Sequence, residues 1–229
     1  MKNLSVQLKT YEQILGWIYF VFQLLGLGAI AIALNMLLGN PLSLTQLNVL
    51  LFVLNFLAII AIFHRFLWEN LQKFLSRFGK NMALTALGLG IYVTLANTIS
   101  MVIMVLDPSY ANANDSNIAG MLDESYWAMA IATVLLVPIT EEVLYRGLLF
   151  GSLYKRNRIL GLILSMVLFA LIHVAPYIGT FNPLHLLLSF FAYLPAGFAF
   201  AWVYVSTDSI FSCTLIHMLV NLIGILIVR

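Results

Sequence analysis

The chain has 229 residues, and its composition is far too apolar for a soluble domain. Hydrophobic residues make up 62% of the chain and charged residues only 9%, with a formal net charge of +2. Soluble domains have roughly 45–50% apolar and about 25% charged residues. These values exclude a soluble enzyme, a disordered regulator and a nucleic-acid-binding module. The single cysteine, Cys213, excludes an internal disulfide and a CxxC metal or redox pair.

Seven stretches are long and apolar enough to cross a bilayer, which takes about 20 residues. They are predicted near Ile14–Leu38, Leu44–Phe63, Ala83–Leu106, Tyr126–Phe150, Ile159–Ile178, Leu184–Val205 and Ile210–Val228. The sequence thus predicts an all-α fold, a polytopic membrane bundle with seven transmembrane helices. The first stretch continues beyond the length of a signal peptide, so we expect an uncleaved anchor. Mixed apolar and charged residues at 64–81 predict an additional amphipathic helix on the inner membrane surface.

The segments between the spans differ in charge, and this predicts how the chain crosses the membrane. Basic residues concentrate at 65–80 and 155–158, whereas 107–124 holds acidic residues and no Lys or Arg. Because basic loops stay on the cytoplasmic side, we expect a multi-pass cell-membrane protein with a cytoplasmic N-terminus and an external C-terminus. The asparagines at 112–117 predict a short exposed loop, and 206–209 predicts a tight polar turn.

Ionisable residues inside a bilayer are costly, so the few that lie in these spans indicate function. The fourth span carries Glu141, Glu142 and Arg146. Residues four positions apart share a helix face, which predicts an ion pair between Glu142 and Arg146. Glu141 then lies about 100° around the helix without a neighbouring partner. Such a carboxylate is suited to act as a general base, and a structural ion network is the alternative interpretation.

Three histidines lie in the apolar surroundings of the later spans. His173 follows Phe169 by four residues, and His217 precedes Asn221 by four, so each pair shares a helix face. An imidazole and a carboxamide one turn apart can stabilise an oxyanion or a metal-bound water. The alternative interpretations are a backbone-bonded histidine at 173 and interhelical hydrogen bonds at 217 and 221. His185 lies at the start of the sixth predicted span, close to the outer interface, and is interpreted as an interfacial histidine.

The patterns Glu-Glu-x-x-x-Arg, Phe-x-x-x-His and His-x-x-x-Asn thus follow one another on three hydrophobic segments. In this order they resemble the CPBP intramembrane protease family, which includes the CAAX prenyl endopeptidases and the Abi-type bacteriocin-immunity proteins. The similarity covers residues 126–225 as a catalytic core within one membrane domain, 1–229. Residues 1–106 carry no family motif.

The resemblance implies an endopeptidase that hydrolyses a peptide bond of a membrane-embedded or lipidated peptide. It implies that Glu141 activates a water molecule with the help of His173. His217 and Asn221 would then stabilise the tetrahedral oxyanion. Structural support of this site would come from Glu142, Arg146 and Phe169.

The resemblance does not decide whether the reaction uses a metal ion. A single zinc ion could take Glu141, His173 and His217 as ligands. A carboxylate that binds zinc could not also act as a free base, which favours the version without a cofactor. The expected partners are a peptide or lipidated-peptide substrate, membrane lipid and a membrane-protein partner, but no nucleic acid.

Two other functions could use the same residues. One is a non-catalytic membrane scaffold, or a bacteriocin self-immunity protein that acts by binding. The other is a proton-coupled transporter with Glu141 and His173 as the relay. This function ranks last, because the sequence shows none of the internal symmetry that is common in transporters.

Overall fold

The structure, a computed structural model, describes residues 4–228. Within these residues the chain forms eight helices. They are α1 (Thr10–Leu37), α2 (Leu44–Ser76), α3 (Phe78–Leu106), α4 (Ala113–Glu124), α5 (Tyr126–Tyr154), α6 (Arg158–Tyr177), α7 (Pro183–Thr207) and α8 (Ile210–Val228). All of them except α4 are long and apolar enough to cross a membrane, and they overlap the seven predicted spans, although α2 continues beyond the predicted end at Phe63 to Ser76. The predicted fold class is therefore confirmed, and the chain is a multi-pass membrane protein.

The core lies where α2, α5, α6, α7 and α8 meet. Phe63 and Phe66 of α2, Leu148 of α5 and Phe200 of α7 are among its buried residues. The outer helices instead expose apolar side chains, as surfaces in contact with lipid do. Leu37 at the end of α1, for example, is 82% exposed. The central helices therefore form the scaffold on which polar side chains can be enclosed.

Two glycines bring α7 against its neighbours α6 and α3. A Cβ atom at Gly197 of α7 would lie 2.8 Å from the backbone Cα atom of Met166 on α6. A Cβ atom at Gly88 of α3 would lie 2.0 Å from the side chain of Val203 on α7. Helices approach this closely only where one of them has no side chain. Helix α7 thus packs tightly between α3 and α6.

The segment predicted as an amphipathic surface helix is the second half of α2. The helical backbone is interrupted at Phe63 (φ −112°, ψ 16°), and beyond this kink the helix continues to Ser76. Phe66 and Leu67 of this half are buried in the core, whereas Trp68 is 60% exposed. The segment is therefore amphipathic, but it is continuous with the second span and part of its apolar face packs against protein.

This second half of α2 fixes the start of α8. The buried Asn70 side chain accepts a hydrogen bond from the backbone N–H of Ile210 (2.9 Å). The Asn70 carbonyl accepts another from the hydroxyl of Ser209 (3.0 Å). The first N–H groups of a helix have no partner within the helix, so Asn70 satisfies one that burial would otherwise leave unpaired. The tight polar turn predicted before α8 is present, with Asp208 in the left-handed region (φ 59°).

The prediction of an exposed loop at residues 112–117 is wrong, because most of this segment belongs to helix α4. Asn112 caps the helix, since its side-chain oxygen accepts hydrogen bonds from the backbone N–H groups of Asn114 (3.0 Å) and Asp115 (3.3 Å). Asparagine is among the preferred residues at this position, and an acidic residue in the first turn favours a helix start. The asparagines therefore indicate the start of a helix, which Asn112 caps, and not a loop.

The charged segments lie at opposite ends of the bundle. At one end, here called the basic end, Arg65 and Lys155 both contact Gln7. At the opposite end, the acidic end, the Ser43 hydroxyl donates a hydrogen bond to Glu124 at the end of α4. This bond is the main reason why the pKa of the Glu124 carboxyl lies below its ordinary value. The two basic segments that the sequence predicts on one side of the membrane are thus together.

Replacing Gly197 by Ala is expected to lower the free energy of unfolding by roughly 1–3 kcal/mol, because the backbone of α6 leaves no room for a methyl group. Gly90→Ala on α3 is the control, since a Cβ atom there meets nothing within 4 Å. Thermal unfolding in detergent measures both variants. Equal unfolding midpoints would contradict the close approach of α6 and α7.

Replacing Asn70 by Ala is expected to destabilise the protein by roughly 1–3 kcal/mol, because the Ile210 N–H group then stays buried without an acceptor. The control is Asn48→Ala near the beginning of the same helix, where the side chain only bonds the Leu44 carbonyl of its own helix. Denaturant unfolding followed by circular dichroism compares the two. An Asn70 variant as stable as the Asn48 variant would exclude this anchor of α8.

Candidate active site

Glu141 and Glu142 lie in the middle of α5, between two π-helical segments of this helix. The segments are Ala132–Leu136 and Val143–Phe150, and Arg146 lies in the second. A π-helical turn contains extra backbone and changes the direction of the side chains that follow, and such turns are frequent at functional sites. The backbone of α5 is thus irregular on both sides of the two glutamates.

Glu142 and Arg146 form the ion pair that their spacing predicts. The Arg146 Nη1 atom lies 2.8 Å from Glu142 Oε1, and both side chains are fully buried. The guanidinium carbon of Arg146 lies over the rings of Phe169 (4.3 Å) and Phe200 (5.1 Å). A cation above an aromatic face is attracted to it, most strongly where water is excluded. The pair therefore connects α5 to α6 and α7.

His217 of α8 connects the two adjacent glutamates. Its Nδ1 atom lies 2.9 Å from Glu142 Oε1, the oxygen that also accepts the hydrogen bond from Arg146. A carboxylate accepts a proton donor, so Nδ1 carries the hydrogen and Nε2 faces away. Nε2 lies 3.9 Å from Glu141 Oε2. The ring also stacks on Phe200, with centroids 5.0 Å apart, and its orientation is thus fixed from several sides.

Glu141 has a different environment from Glu142, although the two are neighbours in the chain. The Glu141 side chain is 16% exposed, whereas that of Glu142 is 0% exposed. Oε2 of Glu141 is buried and has no hydrogen-bond partner among the residues that the structure describes. Its distance to Nε2 of His217 is too long for a direct hydrogen bond and suits a bridge through one water molecule. Glu141 is thus the carboxylate that can act on a small molecule.

His173 of α6 lies in the same region. Its Nδ1 atom donates a hydrogen bond to the Phe169 carbonyl (2.8 Å), which is the backbone bond of the alternative interpretation. This bond leaves Nε2 with its lone pair, so the ring can still accept a hydrogen bond. The Phe169 ring contacts both imidazoles, with centroid distances of 4.7 Å to His173 and 5.8 Å to His217. The structure thus brings side chains from α5, α6 and α8 together, as the three motifs require.

Asn221 lies one turn beyond His217 and is bound to the backbone of α5. Its Nδ2 atom donates to the carbonyl of Thr133 (2.8 Å). In a π-helix a carbonyl pairs with the N–H group five residues later, and for Thr133 that residue is Pro138, which has no N–H group. The proline therefore explains why this carbonyl accepts a side chain from α8.

The residues named for a zinc ion do not form a metal site. Among residues 4–228, no three His, Cys, Asp or Glu side chains come together in a way that could hold a metal ion. The Nδ1 atoms of His173 and His217 are engaged, in bonds to the Phe169 carbonyl and to Glu142, which leaves the Nε2 atom of each ring free. The described positions of Glu141, His173 and His217 thus do not provide three ligands for a zinc ion.

The sequence analysis did not identify Tyr193, which contacts His173, or Asp115, which binds Tyr193. Tyr193 of α7 stacks on the His173 ring, with centroids 4.2 Å apart, and donates a hydrogen bond to Asp115 of α4 (3.2 Å). The local signal for Tyr193 is its spacing, since it lies four residues after Ser189 and eight after His185, on the same face of α7. Asp115 was assigned to a loop, and the cap at Asn112 is the signal that would have placed it on a helix.

His185 lies apart from this cluster and pairs with a residue outside its own helix. Its Nε2 atom lies 3.0 Å from Asp107 Oδ2 at the acidic end. Hydrogen bonds from Ser109, and to a smaller extent from His185, keep the pKa of Asp107 below its ordinary value. The position agrees with an interfacial histidine.

Two cavities near the basic end are separate from the cluster. They have volumes of about 290 and 370 Å³, and neither is lined by Glu141, His173 or His217. The smaller cavity is mostly apolar and lies beside Trp202, whereas the larger one contains Lys155. The chemically promising side chains are therefore outside both cavities.

Comparison with known proteins agrees with the motifs. Residues 123–223 match the family model described as "Type II CAAX prenyl endopeptidase Rce1-like". The chain is 28% identical over 137 residues to the "UPF0177 protein YxdF" of Lactococcus lactis subsp. lactis (strain IL1403), covering 58% of this chain and 71% of that protein. It is 33% identical over 94 residues to the "Putative membrane peptidase YdiL" of Bacillus subtilis (strain 168), covering 41% of this chain and 34% of that protein.

The similarity to the Bacillus protein thus spans about a third of that protein's length. No solved structure matches the chain. The matched residues include all three motifs, from Glu141 to Asn221. Residues 123–223, which are less than half of the chain, are therefore similar to the Rce1-like family of type II CAAX prenyl endopeptidases, in agreement with the resemblance to the CPBP family.

Proposed function

We propose that the protein is an intramembrane endopeptidase in which Glu141 activates a water molecule for attack on a peptide bond. The observation that carries the proposal is the 3.9 Å separation between His217 Nε2 and Glu141 Oε2, an oxygen without a hydrogen-bond partner among the described residues. A water molecule can bond to both atoms at this separation. A carboxylate within reach of a water proton is the arrangement that general-base catalysis needs.

The attack would proceed with His173 as the second group that holds the water. Because His173 Nδ1 is bound to the Phe169 carbonyl, its Nε2 atom can accept one water proton in a hydrogen bond. Glu141 takes the other proton while the water oxygen forms a bond to the carbonyl carbon. The same proton then passes from Glu141 to the leaving nitrogen as the C–N bond breaks. The products are a new carboxylic acid, which keeps the second water proton, and a new amine, and transfer of that proton between them gives a carboxylate and an ammonium group.

The tetrahedral intermediate carries an oxyanion, and we assign His217 and Asn221 as its hydrogen-bond donors. Glu142 accepts the hydrogen bond from Nδ1 of His217 and so orients its Nε2 atom, which would donate to the oxyanion in the form of the ring that carries a proton on both nitrogens. Asn221 has two hydrogens on Nδ2, and only one of them is needed for the Thr133 carbonyl. Donors fixed in advance at the position of a developing charge are a strong source of catalysis.

The substrate class we propose is a membrane-embedded or lipidated peptide. Glu141 lies 15 residues after the start of α5 and 13 before its end, or about 20 Å from each at ~1.5 Å per residue. A peptide bond must therefore enter the bilayer interior to reach it. The description of the family as prenyl endopeptidases supports a lipidated substrate. In this proposal residues 126–225 form the catalytic core, within one membrane domain.

We also propose that the basic end faces the cytoplasm, which gives a cytoplasmic N-terminus and an external C-terminus. The support is the concentration of Lys and Arg in the segments at 65–80 and 155–158. The acidic residues at 107–124 would then lie outside. A membrane-protein partner stays a proposal that none of the described contacts addresses.

Wild-type protein in liposomes is expected to cleave a fluorogenic peptide that carries a lipidated cysteine near its C-terminus. Replacing Glu141 by Gln, or His173 or His217 by Ala, is expected to lower kcat by about 10²-fold or more, because each change removes a group that handles the water or the oxyanion. Asp123→Asn, at an exposed position of α4, is the control for a lost carboxylate.

A folded Glu141→Gln variant that cleaves the peptide at the wild-type rate would remove Glu141 from its assigned role. Retention of the cellular phenotype by the same variant would favour the alternative function, a scaffold or immunity protein that acts by binding. This substitution separates the two because it keeps the size of the side chain and its ability to form hydrogen bonds.

Replacing Glu142 by Gln is expected to destabilise the protein by about 3–5 kcal/mol, because the Arg146 charge then stays buried without its counterion. Restoring neutrality with Arg146→Met in the same chain should recover part of this stability but not the cleavage rate. Glu69→Gln, which breaks an exposed pair with Arg65, should cost no more than ~1 kcal/mol. Thermal unfolding that shows equal losses for Glu142→Gln and Glu69→Gln would contradict a structural role of the buried pair.

A further inference from the structure

We infer that Tyr193 positions His173 for catalysis, and that helix α4, which is not one of the seven spans, holds Tyr193 in place through Asp115. The inference rests on the proposed function, since the orientation of His173 affects the reaction only if this ring binds the attacking water. Tyr193 and Asp115 are positioning residues, because neither needs to touch the substrate.

The ring of His173 lies between two aromatic rings. Tyr193 stacks on it with a centroid distance of 4.2 Å and an interplanar angle of 28°. Phe169 contacts it at 4.7 Å with an angle of 49°, and the Phe169 carbonyl binds Nδ1. The hydrogen bond fixes one point of the imidazole, and the two rings restrict rotation about it. Together they set the direction in which Nε2 points, which is the atom that would accept the water proton.

The phenol of Tyr193 is bound to α4 by hydrogen bonds in both directions. Its hydroxyl donates to Asp115 Oδ1 (3.2 Å) and accepts from Asn114 Nδ2 (3.2 Å). Asn112 Oδ1, at 3.4 Å, is a second acceptor for the same hydroxyl hydrogen. A hydroxyl group that both donates and accepts is fixed in position, and so is the ring that carries it.

Helix α4 is itself anchored beside the candidate site. Ala113, its first residue, is only 4% exposed and forms a cluster with Val174, the residue after His173, and Leu186 of α7. At its other end, Glu124 accepts hydrogen bonds from the start of α2. A displacement of α4 would therefore be transmitted through Tyr193 to the ring of His173.

The test combines kinetics with a signal that does not depend on activity. In protein with ¹³C-labelled histidine, the Cε1–H resonance of His173 is identified by its loss in a His173→Gln sample. Stacking on Tyr193 should shift this resonance upfield in the wild type. Tyr193→Leu should remove the upfield shift and lower kcat by about 10–100-fold, with KM changed less than about twofold, because a small displacement of a catalytic group is costly.

Two milder variants test the connection to α4. Tyr193→Phe keeps the stacked ring, and Asp115→Ala keeps the phenol, but each removes the hydrogen bond between them. Each is expected to lower kcat by about 3–10-fold, and the double variant should be no worse than Tyr193→Phe alone, because that change already removes the hydrogen bond to Asp115. The controls are Phe191→Leu, at an exposed position of α7, and Asp123→Ala, at an exposed position of α4.

An unchanged His173 resonance in Tyr193→Leu would overturn the positioning of His173 by Tyr193. Additive losses of kcat in the double variant, or wild-type kinetics in both single variants, would overturn the role of α4. If the wild-type protein shows no peptidase activity, the proposed function fails, while the resonance of His173 still reports whether Tyr193 orients this ring.

Discussion

The buried ion pair between Glu142 and Arg146 is the interaction on which the rest of the candidate site depends. Two charges in a dry interior need close partners to be stable. Here His217 Nδ1 binds the carboxylate and the rings of Phe169 and Phe200 contact the guanidinium, while Glu142 Oε2 and Arg146 Nε have no hydrogen-bond partner among the described residues. These partners come from α6, α7 and α8, so the need to satisfy one ion pair fixes the positions of four helices.

The pair also explains why adjacent glutamates can have different roles. Oε2 has no hydrogen-bond partner among the described residues in either glutamate. Glu142, however, is fully buried and binds Arg146 and His217 through Oε1, whereas Glu141 is partly exposed and lies near His217 Nε2. His217 is held by the first glutamate and turned towards the second. One residue type in two environments thus supplies a fixed counterion and a reactive base, which is the division that the proposed hydrolysis requires.

Most of the fold and part of the site could be predicted from the sequence because both depend on local patterns. Apolar length marks the seven spans, and the four-residue spacing marks the Glu142–Arg146 pair. Contacts between distant segments were not accessible in this way. The stacking of Tyr193 on His173 joins α7 to α6, and the capped start of α4 was masked by an asparagine-rich composition. The bond from Asn221 to the Thr133 carbonyl likewise depends on the π-helical backbone before Pro138.

The most direct measurement for the central claim is a comparison of the peptides in membranes from cells that express either the wild-type chain or Glu141→Gln at equal levels. If Glu141 is the base of a peptidase, at least one membrane or lipidated peptide accumulates uncleaved in the variant, and its shorter products are present only with the wild type. Identical sets of peptides in the two membranes would contradict the account.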